Sequence, residues 1–286
     1  MTQIEMLIIA GCFQIFFLGF GSFLDLVIFR PEGKSLREDA REYFLGKDTL
    51  RHYLYGVLFI IFGGLLINIW QAVWQRQNTP LIFDLSKLGI FWKWFALLLL
   101  SDFCYYLDHL FTHKINLLWS GHKFHHGAKR FSSVFVTLRL SPEIAFYLFP
   151  AFLPLFFGYT IIETVLMANI VMSYGFMLHS ERIPKLHRFY ESIFMTPSLH
   201  RVHHGTQERY LDKNFGFVFS FWDTLFRTRE EEKENPVLGV LDYRERKKIL
   251  SQYFCGYIDL CEDWMAQNKI MNRIKLLFSA PGAVKK

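Results

Sequence analysis

Cysteine is scarce in this chain, and the motifs that most often mark a catalytic or nucleotide-binding site are missing. The four cysteines, Cys12, Cys104, Cys255 and Cys261, form no CxxC pair. Their spacing argues against a disulfide framework, so reduced thiols on the cytoplasmic side are expected. The GxGxxG, P-loop, HExxH and GxSxG patterns are also absent, which removes the usual signals for nucleotide binding, zinc peptidases and serine hydrolases.

Polar residues are too few for an ordinary soluble globule. Hydrophobic residues make up 52% of the chain and aromatic residues 18%, and the mean hydropathy is +0.18. Apolar runs near the roughly 20 residues that cross a bilayer cover about 4–29, 53–74, 88–111 and 143–178. The sequence therefore predicts an all-α polytopic membrane protein with about four transmembrane helices or hairpin arms and a cytoplasmic histidine-rich helical cap.

The basic residues predict how the chain is oriented in the membrane. No lysine or arginine precedes the first run, whereas the connection 30–52 carries six and the next connection carries only Arg76 and Lys87. The positive-inside rule then places the N-terminus outside and 30–52 in the cytoplasm. The host membrane is expected to be a bacterial inner membrane or the endoplasmic reticulum. The net charge of +6 is explained by topology and anionic lipid, so no nucleic acid partner is expected.

Histidine is the residue that the chain concentrates. The pattern HxxHHG occurs twice, at 122–127 and 200–205, and HLFTH at 109–113 adds a pair with i, i+4 spacing. Three histidines at i, i+3 and i+4 lie within one arc of a helix and can point at one spot. Nine imidazoles exceed the capacity of one ion, so the pattern predicts two metals sharing one box. The nine are His109, His113, His122, His125, His126, His179, His200, His203 and His204.

A shared box constrains the topology of 143–178. If this stretch crossed the membrane once, His179 and the third cluster would lie on the wrong side. It must therefore cross an even number of times or dip and return, and both a full and a re-entrant hairpin remain open. The predicted division is an N-terminal membrane and loop region 1–87, a catalytic domain 88–228, and a charged linker with an amphipathic tail 229–286.

Five segments resemble the fatty acid hydroxylase/sterol desaturase superfamily of membrane di-iron oxygenases. They are DFCYYLDHLFTH (102–113), LLWSGHKFHH (117–126), TLRLSPE (137–143), TPSLHRVHHG (196–205) and YLDKNFGFVFSFWDTLFRT (210–228). The last two and the lone His179 look closest to the alkylglycerol monooxygenase branch. Leu110 replaces a basic residue that the family often carries, and Asp108 is unusual in its place. None of the family's histidine positions is lost, so the metal ligands are all present. The haem-binding HPGG segment of members fused to cytochrome b5 is absent, so a separate electron donor is expected.

The resemblance implies a lipid substrate and two iron ions, for which zinc may substitute in preparations. O2 would be the co-substrate, and electrons would come from a cytochrome, a ferredoxin or a reduced pterin. The expected reaction is hydroxylation or desaturation of an alkyl, acyl or sterol C–H bond, with ether-lipid cleavage as the first choice. The alternatives are a zinc-dependent membrane hydrolase and a non-enzymatic haem-binding or metal-binding module.

Six further residues are candidates for bracing the metal ligands or orienting the substrate, each with a plainer structural alternative. Asp102 lies seven residues before His109 on nearly the same helix face and could accept a ligand's N–H, or it could simply bond a tyrosine. Asp212 and Asn214 could orient the third histidine cluster or form a turn. The set is Asp102, Tyr106, Arg139, Glu143, Asp212 and Asn214.

Overall fold

The computed structural model describes residues 3–46, 49–50, 53–58, 81–132, 134 and 152–283. Within these ranges the regular structure is helical, and strand-like pairing is limited to two isolated bridges, Phe194 with Phe219 and Gly205 with Leu238. The all-α prediction is confirmed for this part of the chain. The α-helices are α1 Gln3–Phe23, α2 Leu36–Leu45, α3 Ile90–Lys114, α4 Asn116–His126, α5 Ile161–Leu178, α6 Arg188–Ile193, α7 Pro197–His203, α8 Phe221–Leu225, α9 Ile249–Tyr253, α10 Cys255–Met265 and α11 Ile270–Phe278.

Three of these helices are long and apolar enough to cross a membrane. They cover Ile8–Ile28, which includes a π-helical turn after α1, Ile90–Lys114 and Ile161–Leu178. Large side chains on α1, such as Ile15 at 74% exposure, point away from the protein, as lipid-facing residues do. Most of the predicted run 53–74 and the start of the run 143–178 lie outside the described residues.

Helices α1 and α5 pack side by side and run in the same direction. Gln14 Nε2 donates to Asn169 Oδ1 at 3.2 Å, and further along both helices Ser180 donates to the buried carboxylate of Asp25. Residue numbers therefore increase together along the two axes.

Helix α3 runs in this direction too. The ammonium of Lys93 pairs with Glu163 in the first turn of α5, and the Tyr105 hydroxyl donates to the carbonyl of Ala168 at 3.2 Å. The C-terminal ends of α1, α3 and α5 consequently share one end of the bundle, which is called the histidine end below because all nine clustered histidines lie there.

The chain moves between the two ends outside these helices. Phe131 lies against His179 at the histidine end, with ring centroids 5.2 Å apart. The carbonyl of Phe156 accepts from the N–H of Ile82, shortly before α3 begins at the opposite end. The chain therefore passes from one end to the other between Phe131 and Phe156 and returns through α5. The first arm of the predicted hairpin lies outside the described residues, so the even number of membrane crossings stays a prediction.

The C-terminal region packs on the second histidine helix. In α10, Gly256 lies so close to Ser120 of α4 that an added Cβ would be 3.0 Å from the Ser120 Cα atom. The buried carboxylate of Asp259 accepts from Lys123 at 2.6 Å and also binds Arg246 at 2.6 Å. These contacts fix α4 from the side that faces away from α3.

The charged segment 229–236 is tied to the histidine end. Glu232 forms two hydrogen bonds to the guanidinium of Arg201, at 2.6 and 3.0 Å, and Glu231 pairs with Lys185 at 3.0 Å. The residues that the sequence predicted to form a linker therefore pack against α7 and against Lys185, which lies shortly before α6.

Candidate metal centre

The nine clustered histidines are all buried, none more than 7% exposed. They fall into two groups, and within each group the ligand atoms lie within 4.8 Å of one another. The five-histidine group is His109, His113, His122, His126 and His203, and the four-histidine group is His125, His179, His200 and His204. Each group has enough nitrogen donors for one metal ion.

The two HxxHHG copies are divided between these groups. In α4, His122 and His126 join the five-histidine group while His125 turns to the other. The second copy does the reverse, with His203 in the five-histidine group and His200 and His204 in the four-histidine group. Adjacent residues are about 100° apart around a helix axis, so the middle ring of each triplet faces a different neighbour from the outer two. The spacing therefore serves two spots rather than one.

Ring nitrogens converge at the centre of the five-histidine group. The Nε2 atom of His126 lies 3.0 Å from that of His203 and 3.1 Å from that of His113. The Nε2 atoms of His109 and His122 are 3.2 Å apart.

The four-histidine group has the same construction around His179. Its Nε2 atom lies 2.8 Å from that of His200 and 3.3 Å from that of His125. Both ring nitrogens of His204 are buried without a hydrogen-bond partner among the described residues. Buried imidazole nitrogens are seldom left unpaired, so this ring fits a metal ligand better than a structural histidine.

Main-chain carbonyls fix the tautomer of three of the rings. Nδ1 lies 2.9 Å from the Phe215 carbonyl in His109, 2.8 Å from the Lys213 carbonyl in His203, and 2.9 Å from a carbonyl of α5 in His179. A carbonyl can only accept, so each Nδ1 carries the proton and each Nε2 presents a lone pair inward. Lone pairs that face one another at such distances repel unless a cation lies between them. The residues therefore fit a divalent metal in each group.

Six of the clustered histidines that lie beyond the membrane-spanning helices are held in the neutral form that binds metal. Burial lowers the pKa of His179 to about 3. Burial, followed by neighbouring clustered histidines, also lowers the pKa well below its usual value in five further rings, which are His122, His126, His200, His203 and His204. Neutral imidazole is the ligating form, so metal does not have to displace protons at neutral pH.

One short segment, Asp212 to Gly216, braces three rings of the five-histidine group and is called the strap. Besides the two carbonyls described above, it brings an Asp212 oxygen to 3.7 Å from Nδ1 of His113. Burial opposes ionisation of Asp212, but the nearby His113 ring and the hydrogen bond that Lys114 donates at 2.6 Å lower its pKa to about 2. The strap thus places a negative charge behind a ring that would bind a cation.

The buried carboxylate of Asp223 holds the strap in place. It accepts from the N–H of Phe215 at 2.7 Å, from the N–H of Gly216 at 2.9 Å, and from the Thr228 hydroxyl at 2.7 Å. A Cβ at position 216 would lie 3.0 Å from this carboxylate and still closer to the Phe219 carbonyl, so only glycine fits there. Burial raises the pKa of Asp223, although these hydrogen bonds oppose the shift.

Asp102 supports the same loop but does not take the predicted place beside His109. Its carboxylate accepts from the N–H of Val218 at 2.7 Å, from the N–H of Phe219 at 3.1 Å and from the indole N–H of Trp222 at 3.0 Å. The carbonyl that faces His109 Nδ1 belongs to Phe215. Asp102 therefore fixes α3 to the residues that follow the strap.

Tyr106 and Asn214 lie close behind the ligands. The Tyr106 hydroxyl is 3.0 Å from Thr228 Oγ1, which in turn binds Asp223. Asn214 has a φ of 57°, and its amide nitrogen donates to the carbonyls of Leu199 at 2.9 Å and of Glu230 at 2.7 Å. Asn214 thus ties α7 to the residues around Glu230, and its orientation of the third histidine cluster stays a prediction. Arg139 and Glu143 lie outside the described residues.

Sequence reasoning missed the strap carbonyls and Asp223. Every residue has a carbonyl, so no residue type could have marked those of Lys213 and Phe215. Asp223 stood within a segment already similar to the family, 210–228, but no spacing relative to a histidine indicated its role.

The match to known proteins covers the same region. Residues 94–228, which contain all nine clustered histidines, match the family model for fatty acid hydroxylase. This confirms the resemblance inferred from the motifs.

Several curated proteins that are similar to this chain are alkylglycerol monooxygenases. The one from Homo sapiens is 31% identical over 193 residues, which is 67% of this chain and 42% of the relative. Those from Danio rerio and Caenorhabditis elegans are each 29% identical, over 67% and 63% of this chain and 42% and 35% of their own length. The chain thus spans less than half the length of the curated relatives it matches. No solved structure matches it.

Proposed function

We propose that this chain is a membrane-bound di-iron oxygenase that hydroxylates or desaturates a lipid C–H bond with O2 and external electrons. The observation that carries the proposal is the pair of buried, all-nitrogen histidine groups at one end of three apolar helices. Imidazole suits iron as well as zinc and copper, and the fatty acid hydroxylase match favours iron.

The residues of the chain prepare this chemistry by orientation and exclusion. Irons held by the two histidine groups would supply O2 activation. The strap and the α5 carbonyl keep Nε2 of His109, His203 and His179 turned inward. Burial of all nine rings keeps bulk water away from the centre, and the adjacent apolar helices let a lipid chain approach from the membrane.

An ether lipid is the substrate class that we propose first. The relatives are named alkylglycerol monooxygenase, and hydroxylation of the carbon next to an ether oxygen would give an unstable product that cleaves. Hydroxylation or desaturation of an acyl chain or a sterol is the second choice within the same class.

The proposal includes an orientation and a partner. With the N-terminus outside, the parallel course of α1, α3 and α5 would put the histidine end in the cytoplasm, in a bacterial inner membrane or the endoplasmic reticulum. A separate cytochrome, ferredoxin or reduced pterin would then deliver electrons from that side.

Metal analysis of three histidine variants tests the two-group centre. In detergent, the wild type should hold two irons, one in each histidine group. His126→Ala and His204→Ala should each lose most of one iron, because each removes a ligand from a different group. His187→Ala is the matched control, since this exposed histidine caps α6 outside both groups. A wild type that binds only zinc and turns over without O2 would refute the proposal.

Lipid profiling of cells grown in 18O2 tests the reaction. The comparison is between the wild type and a His125→Ala, His203→Ala double variant, which loses one ligand from each group. We expect an 18O-labelled alcohol, or an aldehyde with a matching loss of ether lipid, in the wild type alone. Lipid changes without label would favour desaturation, because its oxygen leaves as water.

A further inference from the structure

A polar cavity of about 470 Å³ lies beside the four-histidine group. Its walls come from three stretches that are far apart in sequence: the segment after the first span together with α2 (31–49), the residues after α4 (130–132), and the residues after His179 (181–182). This volume is in the range of small-ligand sites, about 300–1,000 Å³. Two of the wall segments directly follow ligand-bearing elements.

The side chain of Phe131 contacts both this cavity and the clustered histidines. Phe131 lines the cavity, and its ring centroid lies 4.7 Å from that of His204 and 5.2 Å from that of His179. Its N–H donates to Glu181, which also lines the cavity. A molecule in the cavity would therefore be one ring away from the four-histidine group.

The cavity lies next to the ends of two membrane-spanning helices, where the head group of a lipid would be. Pro31 lies just after the first span ends at Ile28, and Glu181 lies just after α5 ends at Leu178. On the side of the first span, Tyr43 of the cavity wall belongs to an apolar cluster with Leu26 and Val134, against which Leu18, Ala40 and Phe44 pack. The polar cavity thus borders an apolar cluster next to the first span. A lipid has the same arrangement, with a polar head group followed by an apolar chain.

The charges around the cavity balance. Three cations, Lys34, Arg130 and Arg182, face three carboxylates, Asp39, Glu42 and Glu181. Arg182 is already engaged with Asp39 at 2.7 and 2.9 Å, and Lys34 pairs with Glu42 at 2.6 Å. A phosphate would add a negative charge among three carboxylates, whereas hydroxyl groups can accept from the cations and donate to the carboxylates.

We propose that this cavity binds an uncharged, hydroxyl-bearing head group of the substrate, such as glycerol, while the chain of the lipid runs into the membrane part. The inference rests on the proposed lipid oxygenase function and adds where the head group binds. The Arg130 side chain is 74% exposed and lies 3.9 Å from Glu42, which is a loose ion pair. Its guanidinium can therefore donate hydrogen bonds to the ligand, and the Glu42 carboxylate can accept one. Both are binding residues that position the substrate, and neither contacts the histidines in this assignment.

Equilibrium binding to metal-free protein in detergent tests the proposal apart from turnover. The probes are 1-O-hexadecylglycerol, which is uncharged, and hexadecyl phosphate, which is anionic. The wild type should bind the glycerol ether more tightly. Arg130→Gln and Glu42→Gln should each weaken its binding about tenfold, as expected for one hydrogen bond to a charged group. Lys129→Gln is the matched control, because this neighbouring exposed lysine pairs with Glu245 and does not line the cavity.

The outcomes separate the head-group proposal from the oxygenase proposal. Tighter binding of the phosphate by the wild type, or wild-type affinity in both cavity variants, would overturn the head-group proposal even if the protein oxidises lipid. Selective loss in the two variants would support it even if no lipid is oxidised. In the loaded enzyme, the same variants should raise KM about tenfold with kcat and metal content unchanged, and a loss of metal would mean that the cavity residues support the ligands instead.

Discussion

Replacement of Asp223 by alanine should weaken metal binding in the five-histidine group much more than in the four-histidine group. The change removes the acceptor for the N–H groups of Phe215 and Gly216, both in the strap. An unsatisfied buried N–H costs about 1–3 kcal/mol, so the strap loses roughly 2–6 kcal/mol of support. The strap should shift until these two N–H groups form hydrogen bonds to water. This shift would move its carbonyls away from His109 and His203.

The expected size of the effect follows from the role of the strap. Loss of a partner that orients a metal ligand typically costs 10–100-fold in affinity. The assay is the metal content of purified protein dialysed against graded chelator, together with its thermal unfolding midpoint. Asp223→Ala should release one metal at about 10–100-fold lower chelator concentration and keep the other. Asp223→Asn keeps the shape and one acceptor, so it should fall between the alanine variant and the wild type.

Two results would refute this reasoning. Wild-type retention of both metals in Asp223→Ala would show that the strap does not control the rings. Equal loss from both groups, with a collapsed unfolding midpoint, would show that the carboxylate supports the whole fold rather than one group. Asp242→Ala serves as the control, because that carboxylate is exposed and far along the chain from the strap.

Three further perturbations have expected outcomes. After chelation of the metal, the free energy of unfolding should fall as the pH falls below about 6.5, by about 1.4 kcal/mol per pH unit for each buried histidine. The unfolded chain takes up protons in this range, whereas a buried ring such as His179, with a folded pKa of about 3, stays neutral. Equal unfolding midpoints at pH 7.5 and 5.5 would contradict this. Gly256→Ala would place a Cβ 2.9 Å from a backbone carbon of α4 and should lower the free energy of unfolding by about 1–3 kcal/mol. In Gly11→Ala the new Cβ would have no other heavy atom within 4 Å, so that variant should be neutral. Denaturant titration measures the free energy of unfolding of both variants. Arg201→Lys keeps the positive charge but leaves the partly buried Glu232 and two carbonyls short of donors, so it should cost about 1–3 kcal/mol. Arg209→Lys, with one ion pair at 3.3 Å, should change the unfolding midpoint little.

The chemistry of the site was predictable from residue types, but its division was not. Nine clustered histidines predicted two metals because nine imidazoles exceed the capacity of one ion. Which ring joins which group depends on how far α4 and α7 are rotated about their axes, and that angle is set by packing against α10 and the strap. Asp102 shows the same limit: its helix face was predicted, but its partners Val218 and Phe219 are over 100 residues away.

The fold was predictable where a helix is apolar along its whole length. The three described spans follow from hydropathy, and the common direction of α3 and α5 follows from the need to gather the histidines at one end. The cavity beside Phe131 could not be predicted, because its walls come from three separate stretches and its charges resemble ordinary cytoplasmic topology signals. Arg130 in particular reads from sequence as one more basic residue after a span.

The strap acts on the histidines through its backbone, and this affects how the centre can be copied into another protein. Transferring the nine histidines onto a new helical scaffold would carry over the ligands but leave their rings free to rotate. The scaffold would also need a loop whose carbonyls lie where those of Lys213 and Phe215 lie now, whatever side chains it bears. A search for similar centres should therefore compare loop geometry behind the rings, since two proteins could share this bracing without sharing one residue of the loop.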